Sequence, residues 1–255
     1  MQSLVPPSIA TREEWLTARK ALLAEEKAAT KVLDAVTAQR KLLPWVPVEE
    51  NYVFQGPDGP VTLSELFEDK QQLIVHHLMF APGEGQSCVG CAFQADHTDG
   101  PRQHFEQYNI KFVAISRAPY EELVPFKQRM GWKFDWVSSA GSTFNYDYKV
   151  SFTPEEVASG GPVGYNFGTS PYAHADLPGM SVFVKDAEGK IYHTYSTFAR
   201  GLDILITAHF FMDMTPAGRE DEDPAGGTLR FHDQYEDAAP AAAECSACEK
   251  EGAVA

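Results

Sequence analysis

Apolar and polar positions divide the chain into segments of different period. Between residues 11 and 44, Trp15, Leu16, Leu22, Leu23, Val32, Leu33 and Val36 recur at helical spacing among charged residues. That spacing predicts one long amphipathic helix, or two, ending before Pro44. Thr11 followed by Glu14 has the form of a capping box. Such a helix has two uses: it packs on its own domain, or it serves as an arm in a homodimer. Residues 51–54 and 61–63 flank Gly56-Pro-Asp-Gly59 and predict a β-hairpin. Residues 72–80 are almost continuously apolar, as in a strand covered on both faces. A helix follows to about Phe105. Residues 111–116 predict a second buried strand, and residues 119–130 a helix with Pro119 in its first turn and Gly131 as its stop.

Further along, residues 134–137 predict a short strand. Residues 141–168, rich in aromatics, Gly and Asn, predict an irregular excursion with one helical turn after Pro154. Residues 177–185 and 190–195 flank the turn Asp186-Ala-Glu-Gly189 and predict a second hairpin. Residues 201–212 predict a final apolar helix. From Gly218 onward the composition predicts a mostly extended acidic, Ala-rich tail with one ordered patch at residues 229–235. Two buried strands joined by a helix make a parallel βαβ unit with a right-handed crossover, which the later hairpin extends antiparallel. The expected architecture is α/β, a mixed central sheet with helices on both faces. The expected divisions are a helical extension at 1–44, a domain at 45–218 and a tail at 219–255.

Composition narrows the chemistry. The formal charge of −15 leaves no basic surplus to neutralise phosphates, so nucleic acid is not an expected partner. The N-terminal residues lack the basic and apolar regions of a signal peptide, and no apolar run nears the roughly 20 residues of a membrane helix. A cytoplasmic setting is expected, with no membrane partner. Structural disulfides are rare there, so a Cys-x-x-Cys pair points to redox activity or metal binding.

Cys88 and Cys91, two of the four cysteines, lie where the first buried strand hands over to a helix. Unpaired N–H groups and the helix dipole favour a thiolate at that point, which lowers its pKa and makes it a nucleophile. His76 and His77 interrupt the preceding strand and point to opposite faces, so each is expected as a hydrogen-bonded core histidine. One of them could also serve as a polar group beneath the cysteines. Asp96, His97 and Asp99 form a weak pattern for a metal or proton-relay cluster, with solvated helix residues as the plain alternative. Arg117 follows the second strand at the edge where ligands gather in open α/β sheets. It is the candidate substrate-binding residue and a cation that would lower a thiolate pKa; its plain alternative is a surface ion pair. Cys245 and Cys248 form a second Cys-x-x-Cys pair in the tail. Some 150 residues separate it from the first, against the usual 15–20 of a zinc site, so no metal is expected. The tail pair is either a dithiol that exchanges with Cys88 and Cys91 or two cysteines without a role.

Several stretches resemble a bacterial family of thioredoxin-like proteins catalogued as a domain of unknown function and labelled dithiol–disulfide oxidoreductases. They are Leu43-Pro-Trp-Val46, Cys88-x-x-Cys91 with Phe93 and Asp96 to Gly100, Phe112-Val-Ala-Ile-Ser-Arg-Ala-Pro119 and Arg129-Met-Gly-Trp132. Phe144-Asn-Tyr-Asp147, Leu177-Pro-Gly179 and His193-Thr-Tyr-Ser-Thr-Phe-Ala-Arg-Gly201 complete the set. The resemblance implies a thioredoxin-like fold within the thioredoxin and peroxiredoxin superfamily. It also implies Cys88 as attacking thiolate, Cys91 as resolving thiol, and Pro178 as a cis-proline packed beside them. The expected activity is thiol–disulfide exchange with a protein or small-molecule disulfide, driven by an external thiol reductant without a bound cofactor. The alternatives are a peroxiredoxin-like thiol peroxidase and a metal-binding or structural protein. Peroxiredoxins carry Thr or Ser three residues before the reactive cysteine, after a proline. Here Pro82 is present but that position is Gly85, with Ser87 displaced. Roles for Trp132, Tyr195 and Arg200 do not follow from the pattern.

Overall fold

The computed structural model describes residues 8–161, 163–168, 174–219 and 229–235. In chain order the longer elements begin with α1 (Arg12–Arg40), β1 (Val46–Pro47), β2 (Val53–Gly56), β3 (Gly59–Thr62), β4 (Gln72–His77) and α2 (Val89–Phe105). There follow β5 (Ile110–Ser116), α3 (Tyr120–Met130), β6 (Asp135–Ser138), α4 (Phe144–Asp147), α5 (Pro154–Ala158), β7 (Gly179–Lys185), β8 (Ile191–Phe198) and α6 (Thr207–Asp213). The strands form one sheet in the order β1-β8-β7-β4-β5-β6-β2-β3. Strand β5 runs parallel to β4 and β6, whereas β7 is antiparallel to β4, and β8 to β7.

This order is the thioredoxin-like plan, with β1, β2 and β3 added at the edges. Two successive crossovers of one hand, both stepping in the same direction, put α2 and α3 on the same face. Cys91, Ala92 and Ala95 of α2 and Leu123, Phe126 and Met130 of α3 pack there with Phe112 and Ala114 of β5. Leu66, Phe67 and Phe144 cover the opposite face, over Leu73, Val75 and Phe183. The alternation of Leu73, Val75 and His77 with Ile74 and His76 sorts β4 between the two faces.

Local differences from the expected elements have local causes. Pro119 caps α3 with an extended backbone instead of entering its first turn. The apolar stretch after β8 is not one helix: a tight turn-like helix spans Ala199–Leu205, and Ile206 at φ −105°, ψ 88° breaks it from α6. The excursion at 141–168 holds, among its described residues, the helical turns α4 and α5, the latter with a capping box between Thr153 and Glu156, and a tighter turn at Tyr165–Gly168. Helix α1 has both halves of its capping box. None of its residues is buried, and Trp15, Leu22, Val32 and Leu33 are 47–62% exposed, so it does not pack on its own domain.

Candidate active site

The loop from β4 to α2 is pinned at its closing end. The Cys88 N–H donates to the Met79 carbonyl at 3.1 Å, and Ser87 Oγ donates to the same carbonyl at 3.1 Å. Gly83 and Gly85 carry φ of +80° and +67°, a region that favours glycine, so a hydroxyl-bearing residue at 85 would be strained. The position at which the sequence departs from the peroxiredoxin pattern is therefore one the backbone reserves for glycine.

Cys88 is the N-cap of α2, exposed, and Cys91 lies in the first turn, 2% exposed. Both are free thiols. A side chain at Gly90 would begin 3.8 Å from Cys88 Sγ, so the sulfur sits over the first turn. The Cys91 thiol and the N–H groups of Cys91 and Gly90 are turned toward the Cys88 sulfur without closing a side-chain cap on the helix. They bring its pKa down to about 6, against the opposing effects of desolvation and Glu84. Cys91 moves the other way, well above the usual thiol range: its proton is held by Cys88, it is buried, and the charges of Cys88 and Asp176 oppose a second anion.

Arg117 lies at the carboxyl end of β5, as expected, but its charge is committed elsewhere. Its Nε and Nη2 donate to the two Asp176 carboxylate oxygens at 2.7 and 2.6 Å, and Nη1 reaches Tyr146 Oη at 3.4 Å. The pair is largely buried, with side chains 19% and 11% exposed, and Ser151 Oγ also donates to Asp176. This corrects two expectations: it is not a surface pair, and Arg117 is not among the groups that lower the Cys88 pKa. The donors left for a substrate are correspondingly few.

Pro178 also requires a correction. No peptide bond among the described residues is cis, so the Leu177–Pro178 bond is trans. Asp176 bridges to Ser151 and the Leu177 N–H donates to the Val150 carbonyl at 2.8 Å. The chain thus enters β7 already extended, and a proline, having no N–H, sits just ahead of the strand. Tyr165 Oη donates to the Pro178 carbonyl at 2.5 Å and accepts the Ala199 N–H at 2.9 Å. Burial raises the Tyr165 pKa to about 12, with a smaller contribution from Cys91. Tyr165 and Asp176 are the two site residues that sequence reasoning missed.

The remaining candidates do not converge on the dithiol as a set. His77 Nε2 pairs with Ser181 Oγ at 2.8 Å, whereas neither ring nitrogen of His76 has a hydrogen-bond partner among the described residues. Burial holds their pKa values at about 3 and about 4, so both are neutral near pH 7. His76 lies on the α2 face and His77 on the other. Asp96 accepts from Trp132 Nε1, Asp99 from the N–H groups of Lys133 and Phe134, and His97 Nδ1 meets the Phe93 carbonyl. Each is a packing or capping group. Among the described residues no three His, Cys, Asp or Glu side chains are arranged to hold a metal ion. Tyr195 lies under the Arg40 guanidinium, and Arg200 pairs with Asp203 at the surface. Cys245 and Cys248 fall outside the described residues. A cleft of about 680 Å³ runs along β8 between Leu43, Val46, Phe167 and Phe198, with neither cysteine in its lining. Among the described residues no helix is long and apolar enough to cross a membrane.

Known structures show distant similarity. A peroxidoxin, BcpB, from Mycobacterium tuberculosis is 16% identical with a TM-score of 0.42, covering 65% of this chain and 93% of its own. The mitochondrial 2-Cys peroxiredoxin of Plasmodium falciparum is 14% identical, with a TM-score of 0.40 and coverage of 66% and 92%. A Chlorobium tepidum protein provisionally named as the thiol:disulfide interchange protein DsbE is also 14% identical, with a TM-score of 0.38 and coverage of 65% and 97%. No curated protein matches the sequence. The fold rests on the strand order itself. One family profile spans residues 4–235, and the chain accordingly belongs to the family described as bacterial protein of unknown function, DUF899.

Proposed function

We propose that this protein is a thiol–disulfide oxidoreductase with Cys88 as nucleophile and Cys91 as resolving thiol. The observation that carries the reading is the division of labour between the two sulfurs, one exposed with a pKa of about 6 and one buried with its pKa raised. At pH 7 Cys88 is mostly thiolate. The thiolate attacks a substrate disulfide, one substrate sulfur leaves as thiolate, and a Cys88–substrate mixed disulfide forms. Cys91, losing its proton to the departing sulfur, then attacks Cys88, releases the second substrate thiol and closes the Cys88–Cys91 disulfide. An external thiol reductant restores the pair.

The buried Asp176–Arg117 pair holds the lead-in to β7 and keeps a negative charge near Cys91. That charge discourages double ionisation of the dithiol. A thiol peroxidase would use the same Cys88 thiolate; the glycine required at position 85 removes the hydroxyl that such a site uses. The test is reduction of a model protein disulfide by dithiothreitol, with Cys88→Ser against the wild type. Loss of all acceleration over dithiothreitol alone is expected. Equal rates would overturn the assignment, and faster oxidation of Cys88 by hydrogen peroxide than by a disulfide would favour the peroxidase.

A further inference from the structure

Helix α1 has no part in the reaction above. It is 29 residues long and none of them is buried. A helix in water owes most of its stability to packing an amphipathic face, and in a single copy of the chain this face stays exposed.

The face is continuous. Trp15, Leu22, Ala29 and Val36 follow one another at seven-residue steps, with Ala18 and Leu33 three and four residues along. A repeat of seven keeps one seam of a helix turned toward a second helix along its whole length. The charged residues on this seam, Arg19 and Glu26, pair with each other at 2.8 Å, so the pair brings no net charge into a contact. The exposed apolar surface continues past the helix in Leu42 and Trp45.

The two halves of the helix differ in charge and in bulk. Residues 12–26 carry four acidic and three basic side chains, residues 27–41 one acidic and four basic. The first half presents Trp15, Leu16, Leu22 and Leu23, whereas the second mixes Leu33 with the smaller Ala29, Val32 and Val36. A parallel pair would set basic half against basic half and leave large side chains facing large ones. An antiparallel pair sets unlike halves together, and twofold symmetry repeats the match at both ends. Glu13 and Glu14 at one end then meet Arg40 and Lys41 of the second copy at the other. A membrane surface is a poorer fit. Seven basic against five acidic side chains over residues 12–41, in a chain of charge −15, do not make the cationic polar face of a helix that lies on anionic lipid.

We propose that α1 pairs antiparallel with α1 of a second copy of this chain, its N-terminal half lying along the C-terminal half of its counterpart. The surface is self-complementary, so the occupant is the same sequence. The pairing does not depend on the chemistry assigned to Cys88.

Sedimentation equilibrium of the full chain, between about 1 and 100 μM, should give a species of twice the chain mass. Leu22→Glu combined with Leu33→Glu should give monomer alone over that range. Ala24→Glu, on the opposite side of the helix from Trp15, should keep the dimer. Because α1 buries nothing, the near-ultraviolet circular dichroism of the body should be unchanged in both variants. Leu22→Ala with Leu33→Ala repeats the measurement should the added carboxylates disturb folding. A carbodiimide, which joins a carboxylate to an amine in contact with it, reads the direction. Glu13 and Lys41 lie about 42 Å apart along one helix, so a bond between them joins two chains. That bond is expected in the dimer. A wild-type monomer throughout the range, or a dimer that survives both stripe variants, overturns the pairing. A dimer without the Glu13–Lys41 bond overturns its antiparallel direction. A monomer that pellets with phosphatidylglycerol vesicles through α1 replaces the second copy with a membrane surface.

Discussion

Helices α1 and α2 are built on opposite principles. Helix α1 has what a helix needs locally: a two-sided capping box, acidic residues in the first turn, a basic residue in the last, and 29 residues without an internal glycine or proline. It buries nothing. Helix α2 has no side-chain cap, contains Gly90, Gly100 and Pro101, and buries Cys91, Ala92, Gln94, Ala95 and Thr98. Propensity alone would rank α1 far above it. What holds α2 is its surroundings, through Asp96 to Trp132 and His232, and Asp99 to the backbone of residues 133 and 134. The difference has a chemical consequence. In α1 the Thr11 hydroxyl accepts the Glu14 N–H of the first turn; in α2 the corresponding N–H groups, left without a side-chain cap, are turned on the Cys88 sulfur.

The contrast can be broken most sharply at the dithiol. Iodoacetamide labelling of the reduced protein should modify Cys88 with a rate that climbs with pH as thiolate forms, is half-maximal near pH 6 and levels off above about pH 7. Cys91, protonated and buried, should stay unlabelled in the same range; equal labelling of the two would remove the asymmetry.

A charge placed on each helix gives the next largest contrast. Ala95→Glu puts a carboxylate where the side chain is 0% exposed and should cost about 4 kcal/mol or more in urea unfolding. Ala21→Glu on exposed α1 should stay within about 0.5 kcal/mol. Phe231→Ala, which removes a buried ring packed on Phe126 and Arg129 of α3, should cost about 3 kcal/mol by the same measurement. The smallest effect is expected at the α1 cap. Thr11→Ala should weaken that helix by about 1 kcal/mol, seen as faster amide exchange in its first turns with the unfolding midpoint of the body unchanged.

The features legible in the sequence were those with local causes. Residues 72–80 and 111–116 read as buried strands because their apolar runs are covered on both faces, although β4 ends at His77 and Leu78 to Phe80 continue buried without strand pairing. The hairpin turn at Asp186 to Gly189 read correctly because a glycine at φ +83° closes it. Cys88 and Cys91 stood out by spacing and by their place after a strand. What escaped depends on contacts between distant parts of the chain. Asp176 gains its place from Arg117, 59 residues away, and Tyr165 from the Pro178 carbonyl and the Ala199 amide. The one local signal for Asp176 was an acidic residue two positions ahead of Pro178, and Tyr165 had none beyond an aromatic-rich loop. The trans bond at Pro178 was hidden for the same reason, since the bridge from Ser151 to Asp176 sets the approach to β7.

The unequal acidity of Cys88 and Cys91 also makes the dithiol a proton counter. Between about pH 6 and the much higher pKa of Cys91, reducing the disulfide takes up two electrons but only one proton. The midpoint potential should therefore fall by about 30 mV per pH unit above pH 6 and by about 59 mV below it, where Cys88 too is protonated on reduction. Electrons delivered near neutral pH would move with half the proton traffic of an ordinary dithiol, so the driving force between this centre and such a dithiol should shift by about 30 mV per pH unit.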